Sequence, residues 1–366
     1  MRFNKQKTSV KPDKNNLDCH LPNTRLPAEW EKQDAVMLTW PHSQTDWRHS
    51  LEAVEPTFVE IAQQLIRFQK LFIVCNNITH KTHIQSLLNA KTIDQTQLFF
   101  FCIPSNDTWI RDYGPMTIYK NGQAELIDFR FNGWGNKYDS QLDNNISREL
   151  YRLNAFKGNL SSENFVLEGG SIESNGQGTL LTTAQCLLSA RRNPNLSQSE
   201  ISNFLSQKLG AEEILWLNHG NLIGDDTDGH IDTIARFIDA ETICYVKCDT
   251  ENDEHYIDFQ KMEAELKQFR TKQGKPYRLI PLPMVSAKYS KDKTRLPATY
   301  ANFLIINQAV LVPTYRDIND DNALSIIKNC LPNREVIGIN CEQIIEQNGS
   351  LHCLTMHLPH GIVAAC

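Results

Sequence analysis

From Asn348 to His357 the chain reads N-G-S-L-H-C-L-T-M-H, which places Cys353 where a small polar stretch meets an apolar, strand-like one. A thiol at such a junction can serve as a nucleophile, whereas a thiol inside an apolar run is usually packing. Far away, D-D-T-D-G-H-I-D-T carries His230 and Asp232 two residues apart. In an extended strand that spacing turns both side chains to one face, so an imidazole and a carboxylate are expected to look into one pocket. Gly229 lets the backbone turn tightly just before them. A metal site would need further ligands, and no second His-x-Asp or Cys pair supplies them. Asp112 closes N-D-T-W-I-R-D, and Glu168 opens E-G-G. Alone, each reads as a loop carboxylate with a local partner. Together, one thiol, one imidazole and several carboxylates suit a planar guanidinium cation, whose paired N–H groups are matched by carboxylate oxygens. A phosphate or carboxylate ligand would be repelled.

Those residues sit at the openings of repeated elements. Pro115 to Phe131 reads as a hairpin turning at Asn121-Gly122. Phe165 to Leu188 repeats the pattern around Ser174-Asn175-Gly176, His230 to Lys247 turns near Asp239-Ala240, and Asn302 to Tyr315 turns at Asn307-Gln308. Leu351 to Ala365 gives a fifth run, and A-V-M-L-T-W from Ala35 is a partner that would close a ring. Amphipathic helices lie between. Val54, Phe58, Ile61, Leu65 and Phe68 share one face. Ile201, Phe204, Leu205 and Leu209 form another, with Ser197 and Glu200 as a capping box and Gly210 as a stop. Phe259, Met262, Leu266 and Phe269 mark a third, and Asn322 to Cys330 a short fourth. Hairpins converging on one axis, with helices outside, would gather Asp112, Glu168, His230, Asp232, Asn302, His352 and Cys353 near the centre.

A chain of 366 residues with 40% hydrophobic content can bury a large core, and its net charge of -6 gives no reason to expect nucleic acid as a partner. The start of the chain is polar and basic and lacks the apolar core of a signal peptide, and no apolar run is long enough to span a membrane. Residues 1–20 read as a poorly ordered tail and residues 21–366 as a single catalytic domain. Ten scattered cysteines without C-x-x-C spacing fit reduced thiols and a cytoplasmic setting.

At this point the chain closely resembles the agmatine deiminase and bacterial-type peptidylarginine deiminase family. The matching motifs run in order from Leu26-Pro27-Ala28-Glu29-Trp30 and Trp40-Pro41 through Trp109-Ile110-Arg111-Asp112-Tyr113-Gly114-Pro115. Phe131-Asn132-Gly133-Trp134-Gly135, Glu168-Gly169-Gly170 and Gly229-His230-Ile231-Asp232 follow. Tyr300-Ala301-Asn302-Phe303, His352-Cys353-Leu354-Thr355 and Pro359 close the series. The resemblance implies the pentein fold, a five-fold pseudo-symmetric α/β propeller. It implies Cys353 as nucleophile, His230 as general acid and base, and Asp112 and Asp232 as carboxylates gripping the guanidinium. Glu168 falls at a further active-site carboxylate position near His230, Trp109 at a pocket wall, and Asp226 at the contact to the distal amine of agmatine. The chain departs from the family's usual pattern at Asn348-Gly349-Ser350, where glycines are common, and at Asp226 and Asp228, where Glu and Asn are frequent.

The implied reaction is hydrolysis of agmatine to N-carbamoylputrescine and ammonia through a covalent thiouronium on Cys353. Neither metal nor organic cofactor has a role in it, the partner is a small cationic guanidino compound, and self-association is left open. Deimination of peptidylarginine is the nearest alternative, and free arginine ranks below it for lack of obvious cationic clamps. A C-terminal arginine would need a cation for its carboxylate, for which Arg130 is the one candidate. Amidinotransfer would use a similar Cys and His with an amine in place of water. A guanidinium-binding protein without chemistry would have no use for Cys353 and His230, and a papain-like amidase none for the carboxylates.

Overall fold

Turn chemistry sets the first strand pair. Asn121 and Gly122 both adopt positive φ (50° and 77°), the twist that lets two strands return on themselves, and Met116–Lys120 pairs antiparallel with Gln123–Arg130. The chain then crosses through the helix Ile146–Arg152, and Leu160–Val166 returns parallel to Gln123–Arg130. This ββαβ arrangement recurs. Ile172–Ser174 and Thr179–Thr183 are followed by the helix Gln198–Leu209 and the parallel strand Glu213–Leu217. Ala235–Asp239 and Thr242–Lys247 are followed by Tyr256–Gln268 and Arg278–Pro283. Leu304–Ile305 and Ala309–Thr314 are followed by Asp320–Cys330 and Glu335–Asn340.

The fifth unit joins the two ends of the chain in this computed structural model, which describes residues 23–91 and 94–364. Thr355–Pro359 pairs antiparallel with Gln33–Thr39, with Leu358 opposite Ala35, as the A-V-M-L-T-W segment suggested. The helix Leu51–Leu65 and the parallel strand Lys70–Cys75 complete that unit, and Leu98–Cys102 adds one strand more. Five such units closed by their termini make the α/β pentein architecture. Strands covered on both faces, such as Leu71 to Cys75, are continuously apolar and fully buried.

The helices behave as their residue patterns require. Ser197 and Glu200 form the expected reciprocal cap, and Gly210 ends that helix at φ 69°; a cap of this kind contributes about 1 kcal/mol. Phe68 lies past the end of Leu51–Leu65 rather than on it. The helix Ile78–Ala90 was not anticipated, because it buries only Ile84 and Leu88 and shows no apolar stripe. The second hairpin starts at Ile172 rather than Phe165, since Phe165 and Val166 finish the parallel strand of the preceding unit.

A larger correction concerns His230 and Asp232. They do not lie on a strand: Ile231–Thr233 is a single 3-10 turn, with His230 at its start. The short segments preceding the leading strands meet in succession, Ile110–Tyr113 against Gly169–Ser171 and that against Ile231–Thr233. This convergence brings the chemistry-bearing residues together. The N-terminal tail expected at residues 1–20 lies outside the described residues. Among the described residues no helix is long and apolar enough to cross a membrane.

Candidate active site

Cys353 lies in the turn before Thr355–Pro359, and its carbonyl accepts from the Arg111 N–H at 3.3 Å, lacing this turn to the segment that carries Asp112. Asn302 ties in two more segments. Its Oδ1 accepts from the His352 N–H at 2.8 Å, while its Nδ2 donates to the Asp232 carbonyl at 3.2 Å and to Cys353 Sγ at 3.3 Å. The turn holding His230 is fixed by Asp225, which accepts from the Thr227 hydroxyl at 2.6 Å and the Gly229 N–H at 2.8 Å. Thr227 Oγ1 in turn accepts from the His230 N–H at 3.1 Å. Local turn bonds, not strand alternation, therefore bring His230 and Asp232 into one buried cluster.

Gly170 marks the point on which the side chains converge. A Cβ placed there would stand 2.7 Å from His230 Nδ1, 2.9 Å from Asp112 Oδ1 and 3.1 Å from Asp232 Oδ2. Only a residue without a side chain leaves these three groups that close. Asp112 Oδ1 accepts from the Gly170 N–H at 3.0 Å and lies 3.5 Å from His230 Nδ1, while its Oδ2 accepts from the Trp134 indole N–H at 2.9 Å. Cys353 Sγ is 3.8 Å from Asp232 Oδ2. Asp232 Oδ1 and both ring nitrogens of His230 are buried and have no hydrogen-bond partner in the protein. Unpaired buried polar atoms are costly, and their concentration here marks a site built to receive donors from a ligand.

Burial governs the protonation of this cluster. It pushes Asp112 up to about 7, helped by the charge of Glu168 and opposed by the Trp134 and Gly170 hydrogen bonds. It raises Asp232 well above the ordinary carboxylate range, with Asp112 adding to the effect. It lowers His230 well below a free imidazole, with the Arg192 and Lys137 charges adding, and raises the Cys353 thiol, with Asp232 and Asp112 adding. Burial in this cluster thus favours the neutral forms of all four groups.

Glu168 is placed differently from the other carboxylates. It is fully buried, and both its oxygens accept from Arg192 Nε at 2.9 Å. Arg192 also reaches Asp228 Oδ2 and the Thr227 carbonyl, each at 2.7 Å. Glu168 does stand beside His230: ligand atoms of Glu168, Cys186 and His230 lie within 4.8 Å of one another. With its charge already matched by a guanidinium from the protein, it is no free grip for a second cation, metal or substrate.

Cys353, Asp112, Trp109 and Trp134 line a pocket of about 550 Å³, together with Asp46, Asp107, Asp225 and Asp226. No lysine or arginine is among its lining residues. His230 and Asp232 are completely buried and do not line it. Trp109 lies along one side of this pocket, pressed so closely by Gly349 that a Cβ there would fall 2.3 Å from its ring. Asp226 also lines the pocket, with Oδ2 accepting from the Tyr138 hydroxyl at 2.7 Å. Arg130 is exposed and belongs to a different surface pocket.

Two contributors were not singled out from the sequence. Arg192 carries no local signal, since its partners come from segments far along the chain. Trp134 did have one: the F-N-G-W-G-N run lets Gly133, Trp134, Gly135 and Asn136 all take positive φ (65°, 53°, 85° and 62°). A left-handed turn with two non-glycine residues is strained and persists where surroundings over-determine it. Here it swings the indole onto Asp112.

The family model for Porphyromonas-type peptidyl-arginine deiminase matches residues 25–359. The agmatine deiminase of Stutzerimonas stutzeri is 30% identical over 361 residues, covering 92% of this chain and 96% of that protein. A Porphyromonas gingivalis crystal structure, provisionally described as an arginine deiminase, is 48% identical with a TM-score of 0.88, covering 93% of this chain and 100% of that one. The Cys-to-Ser form of the C. jejuni agmatine deiminase, solved with substrate bound, is 40% identical with a TM-score of 0.85, covering 92% of this chain and 96% of that one.

Proposed function

Because the chain belongs to the Porphyromonas-type peptidyl-arginine deiminase family, we propose that it is an agmatine deiminase, hydrolysing the guanidinium C–N bond of agmatine to give N-carbamoylputrescine and ammonia. The described units act together as one catalytic domain in this reading. The observation that supports it most is the convergence of a thiol, an imidazole and two carboxylates, neither of them paired with a lysine or arginine, at a pocket lined by acids and free of basic side chains.

The chemistry follows from that arrangement. A guanidinium between Asp112 and Asp232 brings N–H donors to Asp232 Oδ1, which has none of its own. Its positive charge reverses the local field that holds Cys353 protonated, favouring the thiolate. Neutral His230 takes the thiol proton, and sulfur attacks the central carbon. His230 then protonates the departing nitrogen, leaving an S-alkylthiouronium on Cys353. Water, activated by His230, attacks that carbon and releases the ureido product. Fixing carbon and sulfur near attack distance is worth roughly 7–11 kcal/mol of barrier. Glu168, clamped by Arg192 beside His230, is assigned to holding that ring environment rather than to gripping substrate.

Pocket charge selects the substrate. An amine at the far end of agmatine meets Asp226 and the aspartates near the mouth, whereas the carboxylate of arginine, free or C-terminal, meets no cation there. We also place the reaction in the cytoplasm, a setting suited to the eight free cysteines among the described residues. A ureido-product assay across agmatine, arginine and peptides ending in arginine tests the reading. Agmatine is expected to lead arginine by roughly a hundredfold in kcat/KM, the size of one misplaced charge. Equal or greater turnover of arginine or of the peptides would refute it.

A further inference from the structure

A second cavity, of about 500 Å³, has Glu29, Arg111, Glu173, His352 and His357 in its walls. It shares no residue with the Cys353 pocket. Neighbours in sequence divide between the two: Arg111 and His352 face this cavity, and Asp112 and Cys353 face the other. The layer between them is therefore about one residue thick.

His352 bridges that layer. Its Nδ1 is 2.7 Å from Asp232 Oδ2 and its Nε2 is 2.6 Å from Glu29 Oε2. Both distances are in the range of charge-assisted hydrogen bonds. Asp232 Oδ2 is also the atom 3.8 Å from Cys353 Sγ, so a continuous polar chain runs from the thiol through Asp232, His352 and Glu29 to the second cavity. The two carboxylates differ. Glu29 receives N–H groups from Arg236 at 3.1 Å, Arg111 at 3.3 Å and Ile305 at 2.7 Å, while the Asp232 side chain receives none from any arginine. Arg236 also approaches His352 Nε2 at 3.0 Å, and Glu173 and His357 face the two arginines. Burial raises both acids, but His352 and Arg236 outweigh it at Glu29, which ends well below its ordinary value while Asp232 stays well above.

We propose that His352 is a proton relay, passing a proton between Asp232 beside the nucleophile and Glu29 on the second cavity. The proposal rests on the reading of Cys353 as nucleophile. It gives the cycle a way to exchange protons with solvent while substrate fills the front pocket. In the first half the S–H and C–N bonds break and an S–C bond forms. The departing ammonia is protonated at neutral pH, so it takes the thiol proton and one more. In the second half both O–H bonds of the water and the S–C bond break, and a C=O bond and an S–H bond form. One water proton returns to sulfur and the other is surplus. One proton is thus drawn in and one sent out in each turnover, which restores the imidazole tautomer.

The test is chemical rescue of His352→Ala, supported by His352→Gln, which keeps the side-chain bulk but has no second ring nitrogen. Both are expected to bind agmatine with KM within about threefold of wild type and to lose about a hundredfold in kcat, the scale of one acid–base group. Added imidazoles, entering through the second cavity, are expected to restore His352→Ala at least tenfold, with rates that follow the pKa of the rescuer. A structural role would show no such dependence. Near-wild-type kcat in either variant, or rescue that is absent or independent of pKa, overturns the relay. Should His352→Ala fail to fold, the kcat and KM of His352→Gln decide alone. Cys353→Ala is run beside them: if it still turns over agmatine, the nucleophile reading falls, and if it is inactive while rescue fails, only the relay falls.

Discussion

Gly170→Ala is a one-carbon test of the active-site geometry. The glycine does not need its freedom of φ, since it is not among the positive-φ positions. What matters is the space the missing carbon leaves. The new Cβ would sit 2.7 Å from His230 Nδ1, where ordinary contact begins at 3.4 Å, so imidazole or backbone must yield by about 0.7 Å. Asp112 Oδ1, at 2.9 Å, and Asp232 Oδ2, at 3.1 Å, leave no easy direction of retreat. Misplacement on the 1 Å scale costs about a hundredfold in rate, equivalent to about 2.7 kcal/mol of transition-state stabilisation. Overpacking should also lower stability by about 1–3 kcal/mol, leaving a folded protein. The assay is ammonia release from agmatine at saturating and limiting substrate, with a thermal melt of the same preparation. A folded Gly170→Ala protein with kcat/KM within threefold of wild type would refute the view that these three groups must stand this close.

Trp134→Phe removes the N–H that Asp112 Oδ2 accepts at 2.9 Å. Leaving that buried oxygen unpaired should cost about 1–3 kcal/mol, or roughly tenfold or more in kcat/KM. Because the indole opposes the rise in the Asp112 pKa, the acid limb of the pH–rate profile should also move upward; an unmoved limb would separate the two residues. With Asp112 at about 7 in the free protein against an ordinary 3.8, the folded state holds this proton more tightly. Its contribution to stability should therefore fall as pH rises between those values. Agmatine needs the ionised form, so its affinity should climb with pH and level off above about 7, with protons released on binding below that. Calorimetry on Cys353→Ser in buffers of different ionisation enthalpy reads both effects, and affinity independent of pH would contradict them. Arg192→Met strands the Glu168 carboxylate, whose side chain is fully buried, and should lower unfolding free energy by about 3–5 kcal/mol in chemical denaturation; a loss below 1 kcal/mol would show that the pair is not needed to hold that charge.

How much of this was legible depends on whether a feature is local. Asn121-Gly122, the Ser197–Glu200 cap and Gly210 are written within a few residues, and each appears as read. The closing pair of Thr355–Pro359 with Gln33–Thr39 was also legible, because both segments are apolar runs left without a neighbouring hairpin partner in the sequence. Conformation at His230 and Asp232 was not. Their alternation looks like a strand, but the Asp225 and Thr227 side chains offer the backbone turn bonds that win over a ladder. The helix Ile78–Ala90 was invisible because most of its surface is solvated. The buried ion pairs of Glu29 with Arg236 and of Glu168 with Arg192 were hidden for another reason. Their partners are far apart in sequence, and nothing local distinguishes a buried ion pair from a surface charge.

Trapping the covalent state tests the central claim most directly. Wild-type protein mixed with agmatine, quenched in acid within the first turnovers and digested, should yield a Cys353 peptide heavier by agmatine less ammonia, and the adduct should vanish on the timescale of ureido product formation. Product formation with no adduct at any quench time, or with the added mass on another residue, would contradict the account.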